Sequence, residues 1–153
     1  MPTRSCARIR KCCGDWLRKS PAPMQEPVWI LEDVVRAIHT RQIAEHAGTP
    51  GVRDAGLLDS ALARPRNAFA YRSSVDLADL AAAYAFGIAR NHPFLDGNKR
   101  TALVCCELFV RLNGFAVKAS QDEKFETFIE LAAGRLEEEP LAQWLRAHLV
   151  AQS

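Results

Sequence analysis

The stretch LADLAAAYAFGIA (residues 77–89) consists almost entirely of small and apolar residues. A helix that is apolar on all sides is normally buried among other elements. The stretch therefore predicts a central, closely packed helix over about residues 76–90.

The chain on either side of this stretch also has helical patterns. On the N-terminal side, apolar residues at i, i+3, i+4 and i+7 spacing predict a helix over about 31–47 that Gly48 ends: Leu31, Val34, Val35 and Ile38. The segment GVRDAGLLDSALARP (51–65) predicts a loop and a short helix that ends before Pro65, because proline disfavours helical backbone in the residue before it.

On the C-terminal side, a helix over about 98–113 is expected to end at Asn113-Gly114. Ser120 and Glu123 form a capping-box pattern for a helix over about 121–133. Pro140 is expected to occupy the first position of a last helix. With FAVKA (115–119) as the one short strand candidate, these patterns predict an all-α fold: a compact domain of about six helices with at most one short β-hairpin.

Charge is distributed unevenly along the 153 residues. Residues 1–23 carry six Lys/Arg and one acid, whereas the remaining 130 residues carry 14 Lys/Arg against 17 Asp/Glu. A main body with that balance gives no electrostatic reason to expect direct nucleic-acid binding. We expect residues 1–23 to be a basic, disordered leader, or an over-extended start with translation beginning at Met24, and residues 24–153 to form the domain.

The five cysteines and the hydropathy pattern indicate the compartment. An odd number of cysteines without a signal-peptide pattern argues against a disulfide framework. No stretch approaches the ~18 uninterrupted apolar residues that a membrane span needs. The sequence therefore predicts a cytoplasmic protein without a membrane partner, and Cys105 and Cys106 are expected to be core residues.

The junction NHPFLDGNKRT (91–101) is unusual for the start of a helix. Lys99 and Arg100 fall in the first turn, where each cation opposes the helix dipole by ~0.3–1 kcal/mol. A bound polyphosphate would turn this penalty into charge-assisted contacts, because a helix N-terminus also offers unpaired N–H groups. Gly97 allows close approach of a ligand, and Asn98 is expected to act as the N-cap.

Two further residues of the junction supply chemistry. Asp96 would repel a phosphate unless Mg²⁺ lay between them, which is ordinary magnesium coordination. His92 is a suitable general base near neutral pH for a hydroxyl nucleophile. Base, metal ligand and anion-binding residues together predict a phosphoryl- or nucleotidyl-transfer site.

Each of these features also has a simpler interpretation. A histidine before proline is usually a loop residue, an Asp-Gly-Asn tripeptide is usually a turn, and a Lys-Arg pair usually faces solvent. Their occurrence together within nine residues, between two apolar helices, favours the functional interpretation. The isolated histidines His39, His46 and His148 are expected to be structural or surface residues.

The segment HPFLDGNKR (92–100) resembles the signature of the Fic/Doc family, which is histidine-x-phenylalanine-x-acid-small-asparagine-glycine or lysine-arginine. Most Fic proteins have glycine at the position of Lys99. In having lysine there, the chain resembles the Doc-type (death-on-curing) toxins. GVRDAGLLDSALARP (51–65) and RTALVCCELFVRLNGF (100–115) are also similar to Doc-type sequences, so the resemblance covers roughly residues 26–150.

The resemblance implies a fold, an activity and a role for each matching residue. It implies a compact helical toxin of a type II toxin–antitoxin module, which moves the γ-phosphate of ATP to elongation factor Tu and stops translation. By the same resemblance, His92 is the base, Asp96 the Mg²⁺ ligand, and Phe94 the residue that fixes the loop in the core. Phosphate or nucleotide contacts are implied for four residues: Gly97, Asn98, Lys99 and Arg100.

Regulation is also implied by the resemblance. Many Fic proteins inhibit themselves with a helix that contains Ser/Thr-x-x-x-Glu-Gly/Asn, and no Glu among residues 1–153 is followed by Gly or Asn. Restraint is then expected in trans, from a Phd-like antitoxin that lays a segment into a groove. Two alternatives to the kinase toxin stay open: a Fic-type adenylyltransferase, and a catalytically silent antitoxin-binding or co-repressor module.

Overall fold

The structure is a computed structural model that describes residues 24–152. Within this range the chain forms six helices and two short strands: α1 (Glu32–His46), α2 (Ala55–Tyr71), α3 (Leu77–Asn91), α4 (Asn98–Leu112), β1 (Phe115–Val117), α5 (Gln121–Ala132), α6 (Glu138–His148) and β2 (Leu149–Ala151). The predicted helical class is confirmed. The predictions for residues 1–23 lie outside the described residues. None of the helices between residues 24 and 152 is long and apolar enough to cross a bilayer.

Helix α3 is the centre of the domain, as its composition predicts. It contacts α2, α4, α5 and α6, and most of its residues are buried. Gly87 allows the closest approach, because a Cβ atom there would lie 3.0 Å from both Cα and O of Ala61 in α2. Tyr84 is fully buried, and its hydroxyl accepts a hydrogen bond from the Ile30 N–H at 3.2 Å. The central helix therefore fixes both the neighbouring helices and the segment before α1.

The predicted end of α2 before Pro65 is wrong, because the helix continues to Tyr71. Proline removes one backbone hydrogen bond within a helix, but tertiary packing can outweigh that loss. Pro65 and Ala68 are both buried, and the Phe69 ring packs edge-on against Trp29 at 5.7 Å between ring centroids. Burial of the last two turns holds α2 together beyond the proline.

The two strands pair antiparallel, with Phe115 opposite Ala151 and Val117 opposite Leu149. Helices α5 and α6 separate them in sequence. The strands therefore form a two-stranded sheet from distant segments and not the β-hairpin that the sequence analysis left open. The strand at 115–117 lies within the predicted segment FAVKA. Its partner has no pattern of its own in the sequence.

Helix α6 begins at Glu138, so Pro140 occupies its third position and the prediction of the first position is wrong. Proline is tolerated there because the N–H groups of the whole first turn lack helical partners. By contrast, the capping box of α5 is confirmed: Ser120 Oγ accepts from Glu123 N at 3.1 Å, and the Glu123 carboxylate accepts from Ser120 N at 3.0 Å. The cysteines at 105 and 106 are buried in α4, as expected.

Candidate active site

The loop between α3 and α4 forms one wall of a cavity of about 430 Å³. All six residues that the sequence singled out lie along it. The lining consists of His92, Leu95, Asp96, Gly97, Asn98, Lys99 and Arg100, with Phe125 and Ala132 from α5. A base, an acid and two cations therefore share one open concave surface.

His92 ends α3 in the left-handed conformation, with φ 50° and ψ 57°. For a residue other than glycine this backbone costs about 1–2 kcal/mol, so neighbouring contacts must maintain it. Arg53 supplies such contacts: its Nε donates to the His92 carbonyl at 2.8 Å and its Nη2 donates to the Asn91 carbonyl at 2.9 Å. The His92 side chain is exposed and open to a substrate.

A segment before α2 pairs with the site loop. The Arg53 N–H donates to the Pro93 carbonyl at 2.7 Å, and the Leu95 N–H donates to the Gly51 carbonyl at 3.1 Å. Val52 and Phe94 form an isolated antiparallel bridge at the same place. The backbone on both sides of Phe94 is thus fixed by the loop that begins GVRD.

Phe94 is buried at 1% exposure and fixes the loop in the core, in agreement with its expected role. Asn98 closes the turn around it, because Oδ1 accepts from Phe94 N and Nδ2 donates to Phe94 O, both at 2.9 Å. The prediction that Asn98 is the N-cap of α4 is therefore wrong. Gly97 takes the cap position with φ 76°, and the Asn98 side chain is already used. What Asn98 can offer a phosphate is its backbone N–H.

The Asp96 carboxylate is exposed and only partly satisfied. Its Oδ1 accepts from the Gly97 N–H at 2.7 Å, while Oδ2 has a long 3.4 Å contact from the Thr49 N–H. A Cβ atom at Gly48 would lie 2.7 Å from Oδ2, so the chain after α1 passes close to this oxygen only because residue 48 is glycine. Oδ2 is the oxygen best placed to bind a cation.

The backbone of Asp96 is held by α1. His39 is buried at 4% exposure, and its Nε2 lies 2.8 Å from the Asp96 carbonyl oxygen. Because a carbonyl oxygen can only accept, Nε2 must carry the proton. The same imidazole stacks on the Phe94 ring at 3.9 Å between centroids and 7° between planes. His39 is therefore structural, as expected, and its place is directly beneath the site.

The start of α4 is electropositive. Among residues 24–152, no carboxylate lies within 4.0 Å of the charged nitrogens of Lys99 or Arg100. The Lys99 Nζ instead lies over the Phe125 ring, 5.8 Å from its centroid. Two cations with no carboxylate partner in that range lie next to the N–H groups of the first helical turn, and together these groups could hold a bound anion.

The donor set fits a magnesium ion shared with a substrate. Within the described part of the chain, no group of three or more His, Cys, Asp or Glu side chains could hold a metal ion alone. Asp96 supplies a single carboxylate beside the electropositive start of α4. Mg²⁺ commonly binds through one or two carboxylates plus phosphate oxygens and water, so the residues present suit Mg²⁺ with a polyphosphate.

Three residues contribute to the site without any sequence pattern that predicts this. The sequence predicts a structural or surface role for His39 but no contact with the site loop, and it predicts no role for Arg53 or Phe125. Arg53 belongs to the segment GVRD, in which Gly51 and Asp54 are typical turn residues. A cation within a turn is the only feature of the sequence that could have pointed to Arg53. Nothing in the sequence around Phe125 separates it from Phe128, the other aromatic residue of α5.

Comparison with known proteins agrees with this geometry. The family model described as the Fic/DOC family matches residues 29–110, which include α1 to α3, the complete site loop and all of α4 except its last two residues. Protein kinase doc of Escherichia phage P1 is 36% identical over 110 residues, which is 72% of this chain and 86% of that protein. Toxin Doc of Mycolicibacterium smegmatis (strain ATCC 700084 / mc(2)155) is 44% identical over 72 residues, which is 46% of this chain and 55% of that protein.

The fold and site define a class of small helical domains that carry a histidine and an acid on one interhelical loop and two cations in the first turn of the helix that follows it. The chain belongs to the Fic/DOC family, and within it to the Doc-type toxins.

Proposed function

We propose that the protein is the toxin of a toxin–antitoxin module and acts as a protein kinase. It transfers the γ-phosphate of ATP to a Ser or Thr hydroxyl of a translation factor, elongation factor Tu by resemblance, and so arrests translation. Relatives named as a toxin and as a protein kinase support the general class. The observation that carries the proposal is the cavity that joins His92, Asp96, Lys99 and Arg100 on one wall.

The histidine provides the base. As the hydroxyl oxygen forms its bond to the γ-phosphorus, the proton of that hydroxyl passes to the His92 imidazole. The bond between the γ-phosphorus and the oxygen that bridges it to the β-phosphate breaks, and ADP leaves. Arg53 supports this step by holding the backbone on both sides of the Asn91–His92 bond. Positioning of this kind dominates phosphoryl transfer, because the protein itself forms few covalent bonds.

Asp96 and the start of α4 neutralise charge. The Asp96 carboxylate would hold Mg²⁺, which would supply charge neutralisation at the transferred group. Lys99, Arg100 and the backbone N–H of Asn98 contact the remaining phosphate oxygens, because the N–H of Gly97 already donates to Asp96 Oδ1. Arg100 is exposed at the cavity and its guanidinium suits bidentate binding of phosphate.

The Lys99 side chain favours the kinase over the adenylyltransferase. Where a glycine would leave the backbone open to two leaving phosphates, Lys99 fills space at the cavity and adds a point charge. We therefore propose that the nucleotide binds with its γ-phosphate nearest His92, as the resemblance to Doc-type proteins implies. Only the phosphorus that lies in line with the attacking hydroxyl can be transferred.

A Phd-like antitoxin is the proposed partner. A groove of about 380 Å³ runs between α1 and α4, with Ile38, Val104 and Leu108 contributing its apolar lining. Charged side chains also line it: Arg41, Glu45, Glu107 and Arg111. An amphipathic segment with apolar residues on one side suits such a groove. Its occupation would restrain the toxin from outside the chain.

Cell-free translation tests the proposed function. The full-length protein is added to a bacterial translation reaction with ATP and Mg²⁺, beside His92→Ala and the matched control His46→Ala, which changes an exposed histidine of α1. We expect the wild type and His46→Ala to stop synthesis, His92→Ala to leave it running, and fresh elongation factor Tu to restore it. Unimpaired synthesis with folded wild-type protein would contradict a translation toxin and favour the silent binding module.

A further inference from the structure

Phe125 is an aromatic residue at the cavity for which the reaction has no assigned use. The residue is 49% exposed, and it is the only Phe, Tyr or Trp among those that line the cavity in the described chain. The neighbouring residues of α5 fix where it stands. Phe128 is buried in the core, and the buried Lys124 ammonium is paired with Glu107 of α4. Phe125 is thereby held on the side of α5 that borders the site.

The contact that Phe125 makes is with a cation. The Lys99 Nζ lies over its ring at 5.8 Å from the centroid, within the ~6 Å over which a ring face attracts an ammonium group. A lysine side chain loses considerable rotamer entropy when it is fixed, so a contact that already restricts it favours ligand binding. With no carboxylate within 4.0 Å among residues 24–152, the ring is the feature that restricts the Lys99 side chain.

We infer that Phe125 is a positioning residue, which holds the Lys99 ammonium at the cavity in readiness for the polyphosphate of the nucleotide. This inference rests on the proposed function, since it assumes that Lys99 contacts phosphate. The attraction acts on the ammonium group and does not involve the base of the nucleotide. Phe125 should therefore contribute equally to the binding of any polyphosphate, with or without a nucleoside.

Calorimetric binding of inorganic tripolyphosphate and of ATP to the full-length protein, both with Mg²⁺, separates the two roles that the ring could have. Phe125→Leu removes the ring face but keeps an apolar side chain. Because residue 125 is about half exposed, the substitution should not impair folding. We expect Phe125→Leu to weaken binding of both ligands by a similar factor, about two- to fivefold. Phe125→Tyr should retain wild-type binding, because its ring offers the same face to the ammonium.

The Lys99→Met variant completes a double-mutant cycle. On this background, Phe125→Leu should have no further effect, because the cation on which the ring acts is gone. The control Tyr71→Leu changes an exposed aromatic residue at the end of α2 and should leave binding unchanged. Near-wild-type helical CD spectra for all variants exclude a loss of folded protein as the cause.

Four results would overturn the inference. Weaker binding of ATP alone after Phe125→Leu would mean that the ring stacks on the base, and an equal loss on the Lys99→Met background would mean that it acts independently of Lys99. If Lys99→Met binds tripolyphosphate less tightly while Phe125→Leu has no effect, only the positioning role fails. If Lys99→Met itself binds as tightly as the wild type, the phosphate role of Lys99 in the proposed function fails as well.

Discussion

His39 Nε2 lies 2.8 Å from the backbone oxygen of Asp96, so helix α1 directly holds the loop that carries the proposed magnesium ligand. The same ring stacks on Phe94, the buried residue that fixes the loop in the core. One buried side chain thus fixes the backbone of Asp96 and the position of the turn before α4.

Replacing His39 by Ala should impair both stability and turnover. It leaves the Asp96 carbonyl without its donor and removes the stacking on Phe94, which together should lower the free energy of unfolding by about 2 kcal/mol. Turnover should fall about tenfold or more, since small displacements of a catalytic loop are costly. His39→Gln, which can place an amide N–H near the former Nε2, should recover part of both losses. Unchanged denaturant midpoints and kinetics for His39→Ala would exclude this role.

Replacing Arg53 by Ala should lower kcat with a smaller effect on the KM for ATP. Arg53 touches only the carbonyls and backbone that place His92, so its loss releases the base without removing a phosphate contact. Steady-state kinetics of phosphoryl transfer measure this split. Arg53→Lys should restore it incompletely, because an ammonium lacks the planar fork that bridges two carbonyl groups. Arg41→Ala, which removes an exposed arginine of α1, is the control. If KM rises while kcat holds, Arg53 contacts the nucleotide instead.

Much of the fold follows from local sequence pattern, and the exceptions have tertiary causes. The apolar composition of 77–89 predicts the central helix, and Ser120 with Glu123 predicts the start of α5. The continuation of α2 past Pro65 depends on burial against other helices, which no window of sequence contains. The pairing of β1 with β2 is likewise a long-range contact, across two intervening helices.

The site shows the same division. The residues of the loop itself were identified from the sequence because they are contiguous and chemically unusual for a helix start. His39, Arg53 and Phe125 reach the site from three other segments, so their roles depend on packing. Asn98 was assigned a capping role from its residue type and spacing, but its amide faces backward to Phe94 and closes the preceding turn.

Replacing Asp96 by Asn should abolish magnesium-dependent turnover and leave the fold intact. The carboxylate is exposed, and an amide oxygen can still accept the 2.7 Å hydrogen bond from the Gly97 N–H, so only the long 3.4 Å contact from the Thr49 N–H is lost. The helical CD spectrum should match that of the wild type, while activity should no longer respond to added Mg²⁺. Asp122→Asn, an exposed acid in the first turn of α5, should behave as wild type. Full wild-type activity in the presence of EDTA would contradict a metal role for Asp96.

The two core cysteines should be unreactive in the folded protein. Burial raises the pKa of Cys105 to about 12, and burial together with the nearby Glu107 carboxylate raises the pKa of Cys106. The thiolate is the reactive form, so a thiol reagent at mildly alkaline pH finds neither thiolate nor access. The substitutions Cys6→Ser, Cys12→Ser and Cys13→Ser leave only these two thiols for colorimetric titration. We expect no reaction in buffer and both thiols to react in denaturant, whereas rapid labelling of folded protein would show that α4 opens.

The origin of the transferred group distinguishes a kinase from an adenylyltransferase. Purified elongation factor Tu is incubated with the full-length protein, Mg²⁺ and ATP labelled at either the γ- or the α-phosphorus, with His92→Ala as the control. Because the account places the γ-phosphate nearest His92, label should reach the factor from γ-³²P-ATP, not from α-³²P-ATP, and His92→Ala should transfer neither. Label arriving from the α-position with wild-type protein would contradict the account and identify an adenylyltransferase.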